Sequence, residues 1–112
     1  MAFAKEVKLE NSEFTYTLGA DVKRFLLKDV GFEETKAGNF KLVRAIKPLP
    51  TSKEDFKLEI MVEGDLSGFR MKVTTPNGLK TVDIFDGNHE MVADKFYFMM
   101  DGFIERGVFA KN

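Results

Sequence analysis

His89 is the one histidine among 112 residues, and it stands beside Glu90 and three positions after Asp86. Imidazole next to carboxylate is the pairing used in general-base catalysis and in divalent-metal ligation, because a neutral ring nitrogen offers a lone pair near neutral pH. A stable metal centre needs three or four spaced ligands, and no second histidine and no cysteine can supply them. His89 also falls where a helix is about to begin, next to solvent, so a plain surface role is the stronger reading. Serines stand beside acids in "SEF" (12–14) and "TSKED" (51–55), yet neither stretch resembles a nucleophile elbow or an organised triad. "AGNF" and "TPNG" contain glycine without repeating it in a phosphate-cradling pattern. The expectation is a non-catalytic protein with no cofactor and no metal.

Binding chemistry has more material. Lys23, Arg24 and Lys28, with Arg70 and Lys72 on a sheet face, offer cations to an anion or a nucleic acid. Single-strand binding also needs aromatic side chains on the same open face, and only Phe85 is a clear candidate there. The reading therefore disfavours nucleic acid. Residues 95–109, "KFYFMMDGFIERGVF", carry four phenylalanines, a tyrosine and two methionines, which raises the choice between core, ligand pocket and docking surface.

The elements that position these residues follow from periodicity. "VKLENSEFTYTL" (7–18) places Val7 and Leu9 on one side of "ENS" and Phe14, Tyr16 and Leu18 on the other. This is either two short strands joined by a turn or one bent strand. In residues 19–32 the period becomes helical: Asp21 can cap, Val22, Phe25, Leu26 and Val30 recur on one face, and Gly31 offers a left-handed stop. "GN" at 38–39 marks a turn before a strand over Phe40 to Ile46. Two prolines make residues 47–55, "KPLPTSKED", a loop.

The middle of the chain alternates cleanly. Phe56, Leu58, Ile60 and Val62 share one face, and Phe69, Met71 and Val73 repeat the pattern. A turn through residues 64–67 pairs Val62 with Phe69, Ile60 with Met71, Leu58 with Val73 and Glu59 with Lys72. Asn77-Gly78 predicts a second hairpin, both residues at positive φ, that pairs Val73 with Val82, Met71 with Ile84 and Lys72 with Asp83. The outward face then carries a row Glu59, Lys72, Asp83, with the cation between two carboxylates. A slip of one residue would bury all three, so the row specifies register more than it adds stability.

Asn88 is placed to cap a last helix running to about Arg106. At 100° per residue, Val92, Phe96, Met99 and Phe103 form one stripe, widened by Met100, Tyr97 and Ile104. Met91 and Phe98 lie on nearly the opposite side, among Asp94, Lys95 and Asp101. An adjacent pair of exposed apolar residues marks a protein or self-association contact.

Residues 16–40, "YTLGADVKRFLLKDVGFEETKAGNF", and 74–85, "TTPNGLKTVDIF", with the opening "MAF", resemble domain-of-unknown-function family 1831 of Gram-positive bacteria. The resemblance implies an α+β fold of the TATA-binding-protein-like kind and offers no catalytic residues to carry over. It also implies gene neighbourhoods containing cysteine desulfurase and tRNA-thiolation functions. The chain has no cysteine, so it cannot itself carry a persulfide, and a role there would be accessory or regulatory.

Composition closes the frame. At 44% hydrophobic and 31% charged the chain falls among globular proteins rather than disordered ones. A formal charge of −1 gives no general pull towards phosphate backbones or anionic membranes. "MAFAKEVKLE" lacks the apolar run of a signal peptide, and no segment is long enough to span a bilayer. The whole leads to one cytoplasmic α+β domain over residues 1–112. An antiparallel sheet has two helices on one face, in the order β-α-β(4)-α, with the first strand alternatively split into a hairpin. Its expected role is that of an accessory or protein-interaction module. Met91 and Phe98 come first as contact residues, and Glu59, Lys72 and Asp83 second. The competing reading is a carrier of a small apolar ligand between sheet and last helix.

Overall fold

The computed structural model describes residues 3–9, 12–46, 56–85, 87 and 90–111. The expected loop at 47–55 and the expected cap Asn88 lie outside them. The alternating middle segments become β4 (Phe40–Ile46), β5 (Phe56–Val62) and β6 (Phe69–Thr74), all antiparallel neighbours. Leu58, Ile60, Val62, Phe69, Met71 and Val73 are buried, while Glu59, Lys72 and Arg70 stand on the other face. Val62–Phe69, Ile60–Met71, Glu59–Lys72 and Leu58–Val73 pair as the short 64–67 turn demands. The turn closes with Glu63 N–H donating to the Gly68 carbonyl at 2.9 Å and with Leu66 at a positive φ of 62°.

The Asn77-Gly78 turn keeps its register but not its expected shape or its strand. Only Gly78 has positive φ, at 76°. Pro76, with φ fixed near the value the second turn position wants, sets a turn in which Gly78 N–H donates to the Thr75 carbonyl (2.8 Å). Asn77 Oδ1 instead accepts from Leu79 N–H at 3.0 Å. Thr74 pairs with Thr81, and Val82 N–H donates to the Val73 carbonyl (2.8 Å), after which strand pairing ends. The anticipated strand pairs Met71–Ile84 and Lys72–Asp83 therefore do not form. Asp83 Oδ1 accepts from Phe85 N–H at 2.9 Å, which turns the backbone. Ile84 then enters the core, and Phe85 packs on Phe96 and Tyr97 with ring centroids 5.6 and 5.4 Å away. The fourth strand of this sheet is instead β3 (Glu33–Glu34), at the edge beside β4.

A second, three-stranded sheet replaces the single sheet expected. β1 (Glu6–Val7) and β2 (Tyr16–Leu18) form the split-hairpin alternative, and β7 (Phe109–Lys111) joins them in the order β1-β2-β7. The two sheets meet where Ala4 and Phe69 exchange reciprocal backbone bonds of 3.0 and 2.9 Å. The element order is thus β1-β2-α1-β3-β4-β5-β6-α2-β7, antiparallel throughout its sheets and α+β in class.

Helix α1 (Arg24–Asp29) is shorter than its pattern suggested. Lys23, not Asp21, holds the N-cap position, and Leu27 rather than Phe25 is buried; Phe25 is 65% exposed. Helix α2 (Glu90–Glu105) buries Val92, Ala93, Phe96, Met100 and Phe103 and touches β7 and β4. Both helices end alike. Gly31 (φ 112°) and Gly107 (φ 83°) take the left-handed position that costs a Cβ-bearing residue strain. Phe32 N–H then donates back to Leu27, and Val108 N–H to Phe103, at 2.9 and 3.0 Å. These bonds satisfy helix-end carbonyls and drop Phe32 and Val108 into one core that spans both sheets and both helices.

Candidate functional site

The outward face of α2 carries the first pair anticipated from sequence. Its inward stripe is fixed by burial of Phe96, Met100 and Phe103, so the helix rotates Met91 and Phe98 away from the core. Phe98 is 72% and Met91 52% exposed. Lys95 Nζ lies 5.7 Å from the Phe98 ring centroid, and Glu90, Asp94, Asp101 and Glu105 are exposed around them. The face is therefore an apolar centre in an acidic surround. Lys111 Nζ meets Asp101 at 2.9 Å from the β7 side. Tyr97, at the flank, accepts a hydrogen bond from Glu13 N–H (3.0 Å) and meets Phe14 edge-on at 5.6 Å, tying the β1–β2 connection to the helix.

The charge row on the sheet is built the other way round from the expectation. Glu59 sits between Lys41 (3.8 Å) and Lys72 (3.9 Å), so a carboxylate is flanked by two cations. The β4–β5 register, which pairs Val43 with Glu59, brings Lys41 into reach. Asp83 belongs to the turn before Phe85 instead. Beside the row lies a shallow hollow of about 160 Å³ lined by Glu59, Met61, Arg70, Met71 and Lys72. Arg70 spans Met61 Sδ at 3.5 Å and the Phe3 ring at 5.1 Å.

Other sequence candidates are dispersed. Arg24 Nη2 donates to the Gly64 carbonyl (3.2 Å), and Lys28 faces Glu34 (3.8 Å), so two cations of the basic group are engaged within the chain. Phe85, the aromatic expected on the open face, is packed against α2. His89 and Asp86 lie outside the described residues. Among the described residues no group of three or more His, Cys, Asp or Glu could hold a metal ion, and no helix is long and apolar enough to cross a membrane.

One arrangement was not anticipated. A cleft of about 350 Å³ opens between the end of α1, β4 and the second half of α2, lined by Asp29, Val30, Arg44, Met99, Gly102, Phe103 and Arg106. Arg44 occupies the phase of β4 in which Phe40, Leu42 and Ile46 are buried. Its Nη2 donates to the Val30 carbonyl at 2.8 Å and lies over Gly31, where a Cβ would come within 2.7 Å of it. A charged residue in the apolar phase of a strand was the signal available in sequence.

With this geometry in place, comparison with known proteins adds a family. The model of the DUF1831 family, described as "Putative amino acid metabolism", matches residues 1–110. The chain belongs to the DUF1831 family. Its fold is similar to the crystal structure of a DUF1831 family protein from Lactobacillus plantarum, with 35% identity, a TM-score of 0.89, and coverage of 100% of this chain and 99% of that one. No curated protein matches the chain. Family membership thus agrees with the resemblance carried by residues 16–40 and 74–85.

Proposed function

We propose that this DUF1831 chain is a non-catalytic cytoplasmic accessory module that serves amino-acid metabolism by docking on a partner protein through the outward face of α2. The observation that carries the reading is the exposed Phe98–Met91 pair on a helix whose other face is fully packed. Leaving a phenylalanine in water forgoes about 1.5–3 kcal/mol of burial, which a docking contact recovers. Glu90, Asp94, Asp101 and Glu105 outnumber Lys95 and Lys111 around this face, which favours as occupant a protein surface with an apolar hollow rimmed by Lys or Arg. The family description supports the metabolic setting. A cysteine desulfurase, which releases sulfur from an amino acid, is the first partner to test.

Phe98→Asp removes the apolar anchor without touching the core, so its thermal midpoint should match that of the wild type. Binding to purified cysteine desulfurase, and self-association by sedimentation, should be measured for both proteins. Loss of desulfurase binding in Phe98→Asp supports the reading. Equal binding by wild type and variant overturns the assignment of the α2 face, and no binding to the desulfurase overturns the partner assignment. A wild-type dimer abolished by Phe98→Asp would assign the face to a second copy instead. A small apolar carrier role has less to support it, since the cleft beside α2 is rimmed by Asp29, Arg44 and Arg106.

A further inference from the structure

We propose that the cleft between α1, β4 and α2 binds a free acidic α-amino acid, a ligand with two carboxylates and one ammonium. Three charged side chains, Asp29, Arg44 and Arg106, line one hollow, and among the described residues Asp29 makes no ion pair with either arginine. Opposite charges sharing a small concavity without closing on one another leave room for a body that carries both signs. Two guanidiniums against one carboxylate match two ligand carboxylates and one ammonium. An inorganic phosphate would satisfy the arginines and leave Asp29 facing an anion.

The site is preorganised on its cationic side. The bond to the Val30 carbonyl holds the Arg44 guanidinium over the end of α1 and uses one of its five N–H donors, leaving others for a bidentate carboxylate contact. Val30 and Phe103, both buried, and half-buried Met99 supply an apolar floor for the methylenes of the side chain. The volume lies at the lower end of the range of small-molecule sites, which suits an amino acid.

Gly102 completes the argument. It lies within α2, where glycine lowers helix stability relative to alanine, and its φ does not require glycine. No atom comes within 4 Å of the position its Cβ would take, so packing does not require it either. Gly102 is one of the residues that line the cleft.

The test is a titration of the 15N-labelled full chain with L-glutamate, alongside glutarate, which lacks the ammonium, and inorganic phosphate. L-Glutamate should move the amides of Gly102 and Arg106 saturably, and both controls should bind at least roughly tenfold more weakly. Arg106→Ala, at an exposed position, should weaken glutamate binding by about tenfold with an unchanged thermal midpoint. Asp29→Asn should abolish the preference for glutamate over glutarate. Gly102→Leu adds bulk at the wall of the cleft while improving the helix, so it should raise the thermal midpoint and weaken binding at least roughly tenfold. Phe98 does not line the cleft, so Phe98→Asp should bind glutamate as the wild type does, which separates this site from the docking face. Equal response to glutarate or phosphate, no response at Gly102, or full binding by Gly102→Leu would overturn the assignment.

Discussion

Tyr16 is fully buried, packed edge-on against Phe96 at 6.0 Å, and its hydroxyl has no hydrogen-bond partner among the described residues. An unsatisfied buried hydroxyl costs about 1–3 kcal/mol, so Tyr16→Phe should leave stability unchanged or raise it by about 1 kcal/mol in urea unfolding at neutral pH. A loss of more than about 1 kcal/mol would show that the hydroxyl has a partner after all. Burial first, then the nearby Tyr97 and Asp101, push the phenol well above its ordinary value of 10.0. The sign follows from proton binding. Above about pH 10 the unfolded chain releases this proton while the folded chain keeps it, so stability falls with rising pH there. In Tyr16→Phe that part of the alkaline slope should disappear. Reading the sequence placed Tyr16 on an apolar strand face but gave no sign of its stranded hydroxyl, because satisfaction depends on neighbours from α2.

At the scale of elements, turns decide what can be read in advance. The β5–β6 register was legible because a four-residue connection leaves little freedom in the count, and Glu59 meets Lys72 as expected. The β4–β5 register was not, since residues 47–55 impose no count, and so Lys41 was missed as the second cation on Glu59. β7 has no counterpart in the sequence reading, which ends with a helix to about Arg106, because three residues are too few to show alternation. The helix stops were legible at Gly31 but carry different loads. At Gly107 no atom lies within 4 Å of where a Cβ would stand, so Gly107→Ala should cost only the left-handed strain, about 1–2 kcal/mol. Gly31→Ala should cost more, because it also displaces the Arg44 guanidinium. Urea unfolding of both variants checks the order, and Arg44→Ala in the Gly31→Ala background should narrow the difference.

Across the whole molecule, Phe109 joins what the chain order separates. Its ring lies 5.0 Å from Phe69 in the four-stranded sheet and 5.9 Å from Phe103 of α2, while its backbone belongs to the three-stranded sheet. Phe109→Ala should therefore destabilise the entire fold by about 3–5 kcal/mol. Hydrogen exchange is the sharper check: amides of both sheets, Phe69 and Leu18 included, should lose protection together. Loss confined to the β1-β2-β7 sheet would mean that the two sheets fold as separate units. A further consequence lies at the sheet margin. β3 consists of two exposed glutamates, so an identical strand from another molecule would meet a short template and like charge. Pairing between copies along the β3 edge is thereby discouraged.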